Sequence, residues 1–170
     1  MACPRRLVTL AVLPLALLLS GCPYESPEPL TPPGEGVFDA RLFGPWTCRL
    51  DDDEKDVRVT FLAFDAHQYV LLWEQPGEPA TVARAHRGVL AGVPFLSFQF
   101  PEPPDRPDER TWSFARYGLE GDGLSLTAVK SEAFPKGSLP VDVKTALERR
   151  GSDPALYEPL AECRRATDGK

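Results

Sequence analysis

Four cysteines, two histidines and one run of acids are the side chains best able to do chemistry in this 170-residue chain. A thiolate is a nucleophile or a metal ligand. Cys48 and Cys163 each lack a second ligand close by in sequence, so neither reads as part of a metal centre. His67 falls in a turn, and His86 lies in the basic stretch Arg84-Ala85-His86-Arg87. No Gly-x-Ser-x-Gly elbow, His-Glu-x-x-His helix or phosphate loop accompanies them. Asp51-Asp52-Asp53-Glu54-Lys55-Asp56 carries the charge of a calcium loop. It lacks the glycine and the bidentate glutamate at the required offsets, and reads as a solvated hairpin turn. The expectation is a chain without catalytic residues, metal or cofactor, and not an enzyme. The formal net charge of −6 argues against a nucleic-acid partner, which asks for a basic surface.

Cys22 is different, because of what precedes it. Arg5 and Arg6 give a positive start, and residues 7–19 form an apolar stretch interrupted only by Thr9 and Pro14. That is the length of a signal-peptide core and too short to span a bilayer. Leu19-Ser20-Gly21-Cys22 follows, with small residues before the cut. These four residues resemble the lipobox of bacterial lipoproteins, with Cys22 at the modified position. The resemblance implies that the Cys22 thiol receives a diacylglyceryl group and that cleavage frees its amine for acylation. Two or three chains then hold the protein on a membrane, where one is marginal at roughly 0.8 kcal/mol per buried CH₂. The expected address is the bacterial cell envelope, lipid-anchored on a periplasmic or outer-membrane face. An ordinary secretory leader with a chance cysteine, or an uncleaved anchor, is the alternative.

Loss of residues 1–21 removes two arginines and leaves 17 basic against 25 acidic side chains, a net −8. It also removes Cys3. With Cys22 lipidated, Cys48 and Cys163 remain, and beyond the inner membrane a lone pair is usually a disulfide. The alternative is two free, buried thiols. A bridge would place the first and last elements of the domain side by side.

Which elements position these groups follows from periodicity. Residues 22–37 hold five prolines between Pro23 and Pro33, and read as a semi-extended tether lifting the domain off the membrane, with a segment packed as an edge strand as the alternative. From Phe38 the texture is β. Strands are expected at 46–50, 57–61, 68–74, 81–90, 94–100, 111–117 and 124–129, separated by Gly, Pro and Asp turns. The spacing then becomes helical over 140–150, with Ser138 as a cap and Gly151 as a stop. A short turn over 153–157 leads to a last strand at 160–166. The domain thus runs from 38 to 166, with 167–170 a disordered tail. The fold expected is mainly β: one small antiparallel meander barrel of about eight strands, with a C-terminal helix before the last strand. An open sandwich or partly open barrel is the alternative.

Gly44-Pro45-Trp46 at the start of the first strand resembles the Gly-x-Trp signature of lipocalins and related calycin barrels. That resemblance implies an arginine near the last strand stacked on the tryptophan. Arg164 and Arg165, beside Cys163, are the candidates for a cation–π contact with Trp46. The chain departs from lipocalins in placing its helix before the last strand.

The expected function is non-catalytic: a membrane-anchored protein binding a small hydrophobic or amphipathic ligand inside the barrel. Tyr69, Trp73, Trp112, Phe114 and Arg116 are the candidate ligand residues. Trp112, Phe114 and Arg116 share one face of their strand. If that face points inward, Arg116 enters the barrel near Tyr69 and Trp73 and needs an anionic partner, from a ligand head or a wall acid. The alternative is a barrel filled by its own side chains. It would then be an envelope interaction, assembly or inhibitor protein working through its surface.

Overall fold

The computed structural model describes residues 23–51, 56–101, 110–135 and 137–167. Cys22, Asp52 to Lys55 and the tail from 168 lie outside them. The strands among these residues are β1 (Glu25–Ser26), β2 (Gly44–Leu50), β3 (Asp56–Ala63), β4 (Gln68–Glu74), β5 (Thr81–Leu90), β6 (Val93–Gln99), β7 (Trp112–Glu120), β8 (Gly123–Val129) and β9 (Tyr157–Arg165). Helix α1 spans Pro140–Arg150. Strands β2 to β9 pair with their sequence neighbours, and β9 returns to pair with β2, so the sheet closes into an eight-stranded antiparallel barrel. Closure leaves these strands no free edge.

The turns explain the meander. Ala91 and Gly92, at φ 49° and 82°, make a two-residue turn between the paired Leu90 and Val93. Positive φ at both positions matches the twist of the flanking strands. At the β3–β4 turn the Asp65 carboxylate accepts from the amides of His67 and Gln68 at 2.7 and 2.8 Å. Cys48 and Cys163 are register partners across β2 and β9 and are joined by a disulfide. The first and last barrel strands are therefore stitched as the cysteine count implied.

The helix begins one residue later than a Ser138 cap would put it. The Ser138 hydroxyl instead donates to the Pro135 carbonyl at 2.8 Å, and Leu139 occupies the cap position. Gly151 ends the helix in right-handed backbone, φ −60°. Its carbonyl accepts from the buried Tyr157 hydroxyl at 2.6 Å, and Arg150 pairs with Asp153 at 2.6 Å. Among the described residues, no helix is long and apolar enough to cross a membrane.

Two cores result. One lies inside the barrel around Trp46, Tyr69, Phe61 and Leu124. The other lies outside the wall, where Val143 and Leu147 of α1 meet Phe95, Trp112, Phe114 and Tyr157. Strand β6 serves both, with Leu96 inward and Phe95 outward.

The segment expected as a free tether is instead a strap on this outer core. Glu25 and Ser26 pair with Ser113 and Trp112, beyond the point where β8 leaves β7 at the Ala115–Ala128 pair. The Tyr24 amide donates to the Val129 carbonyl at 2.8 Å, and its ring lies 6.1 Å from Phe114 and 5.7 Å from Phe134. Leu30 is buried in the outer core. The prolines keep the segment free of regular helix up to a single 3-10 turn at Pro33–Glu35, but Tyr24 and Leu30 give it apolar surface to bury, on the order of 2 kcal/mol for a leucine. Two histidines hold the strap further along. His86 Nε2 lies 2.8 Å from the Thr31 carbonyl, and His67 Nδ1 lies 2.9 Å from that of Gly36. The approach is close: a Cβ on Gly88 would stand 2.5 Å from Thr31 Oγ1.

Candidate functional site: an apolar cavity open at one end of the barrel

One end of the barrel is plugged by residues 38–43. Gly44, at φ +100°, lets the chain turn from this plug into β2. Leu42 is fully buried, and its carbonyl accepts from Trp46 Nε1 at 2.8 Å. Phe38 and Phe43 meet each other and Tyr69 edge-on or tilted, with centroids 4.8 to 5.3 Å apart. Asp39 is the polar hub. Its carboxylate accepts from Arg41 Nε and Nη2 at 2.9 and 2.7 Å, and from the Tyr117 hydroxyl at 3.1 Å. Its amide donates to the Tyr69 hydroxyl at 2.7 Å. Arg87 Nε reaches the same Tyr117 oxygen at 2.7 Å. The Arg41 guanidinium holds the Asp39 carboxyl below its ordinary range, and burial pushes the Tyr117 phenol up to about 12.

The expected stacking on Trp46 is made by Arg165, whose guanidinium lies 3.8 Å from the ring centroid. Its Nη1 donates to the Phe43 carbonyl at 2.6 Å and its Nη2 to that of Arg41. Arg165 is the register partner of Trp46, whereas Arg164 is the partner of Thr47 and is exposed. One residue along a strand reverses the face, so the structure selects Arg165 and removes Arg164 from the site.

The other end is open. A cavity of about 290 Å³ runs inward from it. Ala83, Ala115, Ala128 and Ala161, on four different strands, face it, and their methyl groups leave the space. Leu71, Trp73 and Phe98 are among the larger side chains of the remaining wall, and Leu50, Phe100 and Leu160 stand toward the rim. Polar side chains are sparse: Ser113 on the wall, and Glu25 at the rim beside Pro23. The start of the strap is thus itself part of the mouth. Such a cavity can desolvate an apolar chain.

Only part of the expected ligand set is here. Trp73 lines the cavity, and Tyr69 lies below it as part of the closed end. Trp112, Phe114 and Arg116 face outward, contrary to expectation. Trp112 and Phe114 belong to the outer core. Arg116 stacks over Tyr157 at 4.4 Å, so no ligand head is required to partner it. The small residues Ser113 and Ala115 face inward instead. A strand covered on both sides puts its large residues wherever the wider space is, and here that is under the helix and strap.

His86 is buried beneath the strap, edge-on to Trp112 with centroids 5.3 Å apart. Asp56, the last of the acid run, pairs with Arg49 at 3.3 Å, and Asp52 to Lys55 lie outside the described residues. Among the described residues, no group of three or more His, Cys, Asp or Glu is gathered to hold a metal ion. The alanine positions were the signal available in sequence: Val82-Ala83-Arg84-Ala85 alternates with its small residues on one parity. The Asp39–Tyr117–Arg87 cluster joins residues far apart in the chain and left none. No protein-family model, curated protein or solved structure matches this chain.

Proposed function

We propose that the protein is a cell-envelope lipoprotein, anchored through Cys22, whose barrel binds a small hydrophobic or amphipathic molecule without catalysing its conversion. The observation that carries the reading is the apolar cavity of about 290 Å³, open at one end and plugged at the other. A protein acting only through its surface has no use for an unfilled interior, and this weighs against the alternative. The lipobox-like Leu19-Ser20-Gly21-Cys22 supports the anchor. The ligand lies with its apolar part against Leu71, Trp73 and Phe98, and any polar head at the rim near Glu25.

The test has two arms. Native mass spectrometry of protein extracted from membranes is expected to find a co-purifying apolar molecule, and the neutral fluorophore N-phenyl-1-naphthylamine is expected to displace it. Apo-protein in every extract, with no fluorophore binding, overturns the binding reading. Cys22→Ala protein that still pellets with membranes overturns the anchor.

A further inference from the structure

The place where the strap starts has a consequence for the cavity. Pro23 and Glu25 line its mouth, and Pro23 forms an isolated bridge with Lys130. From there the chain is bound without slack: Tyr24 through Val129 and Ser138, Glu25 and Ser26 through β7, Leu30 through the outer core. Residue 22 is one peptide step from Pro23, and consecutive Cα atoms stand about 3.8 Å apart. A lipid on Cys22 therefore leaves the protein at the rim of the cavity, with no spacer between. Beside the exposed Asp51, which follows the rim residue Leu50, the surroundings carry exposed apolar side chains. Phe100, on the rim, is 38% exposed. Leu139 and Val141, at the start of α1, are 61% and 62% exposed. They stand beside the strap, where the Tyr24 hydroxyl donates to the Ser138 carbonyl and Val141 shares a cleft with Ser26.

We infer that the open end of the barrel is a membrane-docking surface, and that the cavity takes a single acyl chain of a bilayer phospholipid directly from the membrane. The inference rests on the anchor and the apolar ligand proposed above, and adds where the ligand comes from and by which end it enters. The cavity suits a chain rather than a whole lipid. Among the described residues, its lining holds no Lys or Arg to meet a phosphate, and Glu25 at the mouth disfavours an anionic head passing inward. The head stays at the bilayer surface while the tail enters.

The experiment uses the full lipidated protein in phosphatidylcholine vesicles with brominated acyl chains, which quench tryptophan on contact. Trp73 is the mouth-side tryptophan, and Trp73→Phe identifies its share of the signal. The expected result is strong quenching of the Trp73 share. A Gly/Ser insert of about 20 residues between Cys22 and Pro23, spanning roughly 25 Å, is expected to abolish most of it while the protein still floats with the vesicles. An unquenched Trp73 in floating protein overturns the inference, because the mouth is then turned away or filled by the protein's own lipid. Undiminished quenching with the insert overturns the claim that the short link does the holding. Failure of the wild type to float faults the anchor instead. Failure of Cys22→Ala protein to bind N-phenyl-1-naphthylamine in solution faults the cavity. Each failure has its own signature.

Discussion

Arg165 lies over the Trp46 ring, 3.8 Å from its centroid, and donates two hydrogen bonds to the carbonyls of the plug, at Phe43 and Arg41. One side chain of the last strand thus holds both the first strand and the segment that shuts the barrel. Arg165→Ala removes a cation–π contact and two charged hydrogen bonds, an expected loss of about 2–4 kcal/mol. Arg164→Ala on the opposite face is expected to change stability by less than about 0.5 kcal/mol. Urea unfolding of the two variants measures the difference.

The Cys48–Cys163 bridge closes a span of 115 residues. In the chain-entropy model its loss lowers stability by about 4–5 kcal/mol at most. Cys48→Ala/Cys163→Ala protein is expected to melt well below the oxidised form, with the strand pairing of β2 and β9 retained in the cold. Thermal unfolding with and without reductant gives the comparison. Two reactive thiols in the denatured, unreduced protein would show that no bridge exists.

Ala115→Leu points a larger side chain into the cavity. It is expected to weaken N-phenyl-1-naphthylamine binding by about tenfold or more, the effect of losing roughly 1.4 kcal/mol. Melting temperature should change little, because the new methyl groups enter space rather than displace neighbours. Phe114→Leu, in the outer core, is expected to do the reverse: lower stability and unchanged fluorophore affinity. Paired titrations and melts check both.

Acid is expected to loosen the strap before the plug. Burial holds His86 below its ordinary value of 6.5, and Arg84 pushes the same way. The folded protein then binds fewer protons at His86 than the unfolded chain does. This contribution is complete above pH 6.5 and declines as the pH falls from there toward the folded value. Asp39, held below its ordinary 3.8 by Arg41, contributes fully above that pH and is lost further down. Amide-exchange protection should fall first over residues 24–36 and later over 38–43. Simultaneous loss of both would contradict the ordering.

The barrel was largely legible in the sequence. Period-two runs separated by Gly, Pro and Asp turns set eight strands at the right places, and two cysteines named the closing pair. Three features were not legible. Parity divides Trp112, Phe114 and Arg116 from Ser113, Ala115 and Tyr117, but does not say which set faces in when both faces are covered. Five prolines announce an extended segment, and extended chain serves as a strap as well as a tether. Tyr24 and Leu30 decide the matter only once the outer core exists to receive them. The choice of Arg165 over Arg164 depends on a register with Trp46 that becomes definite only when β9 is laid against β2.

The alanines around the cavity sit on a wall whose every strand is hydrogen-bonded on both sides. Where backbone and methyl groups set the bore there are no long side chains to swing aside, so its calibre there is stiff. Guests would be sorted by thickness: straight hydrocarbon and flat aromatics thread through, while bulky sterols are refused whatever their hydrophobicity.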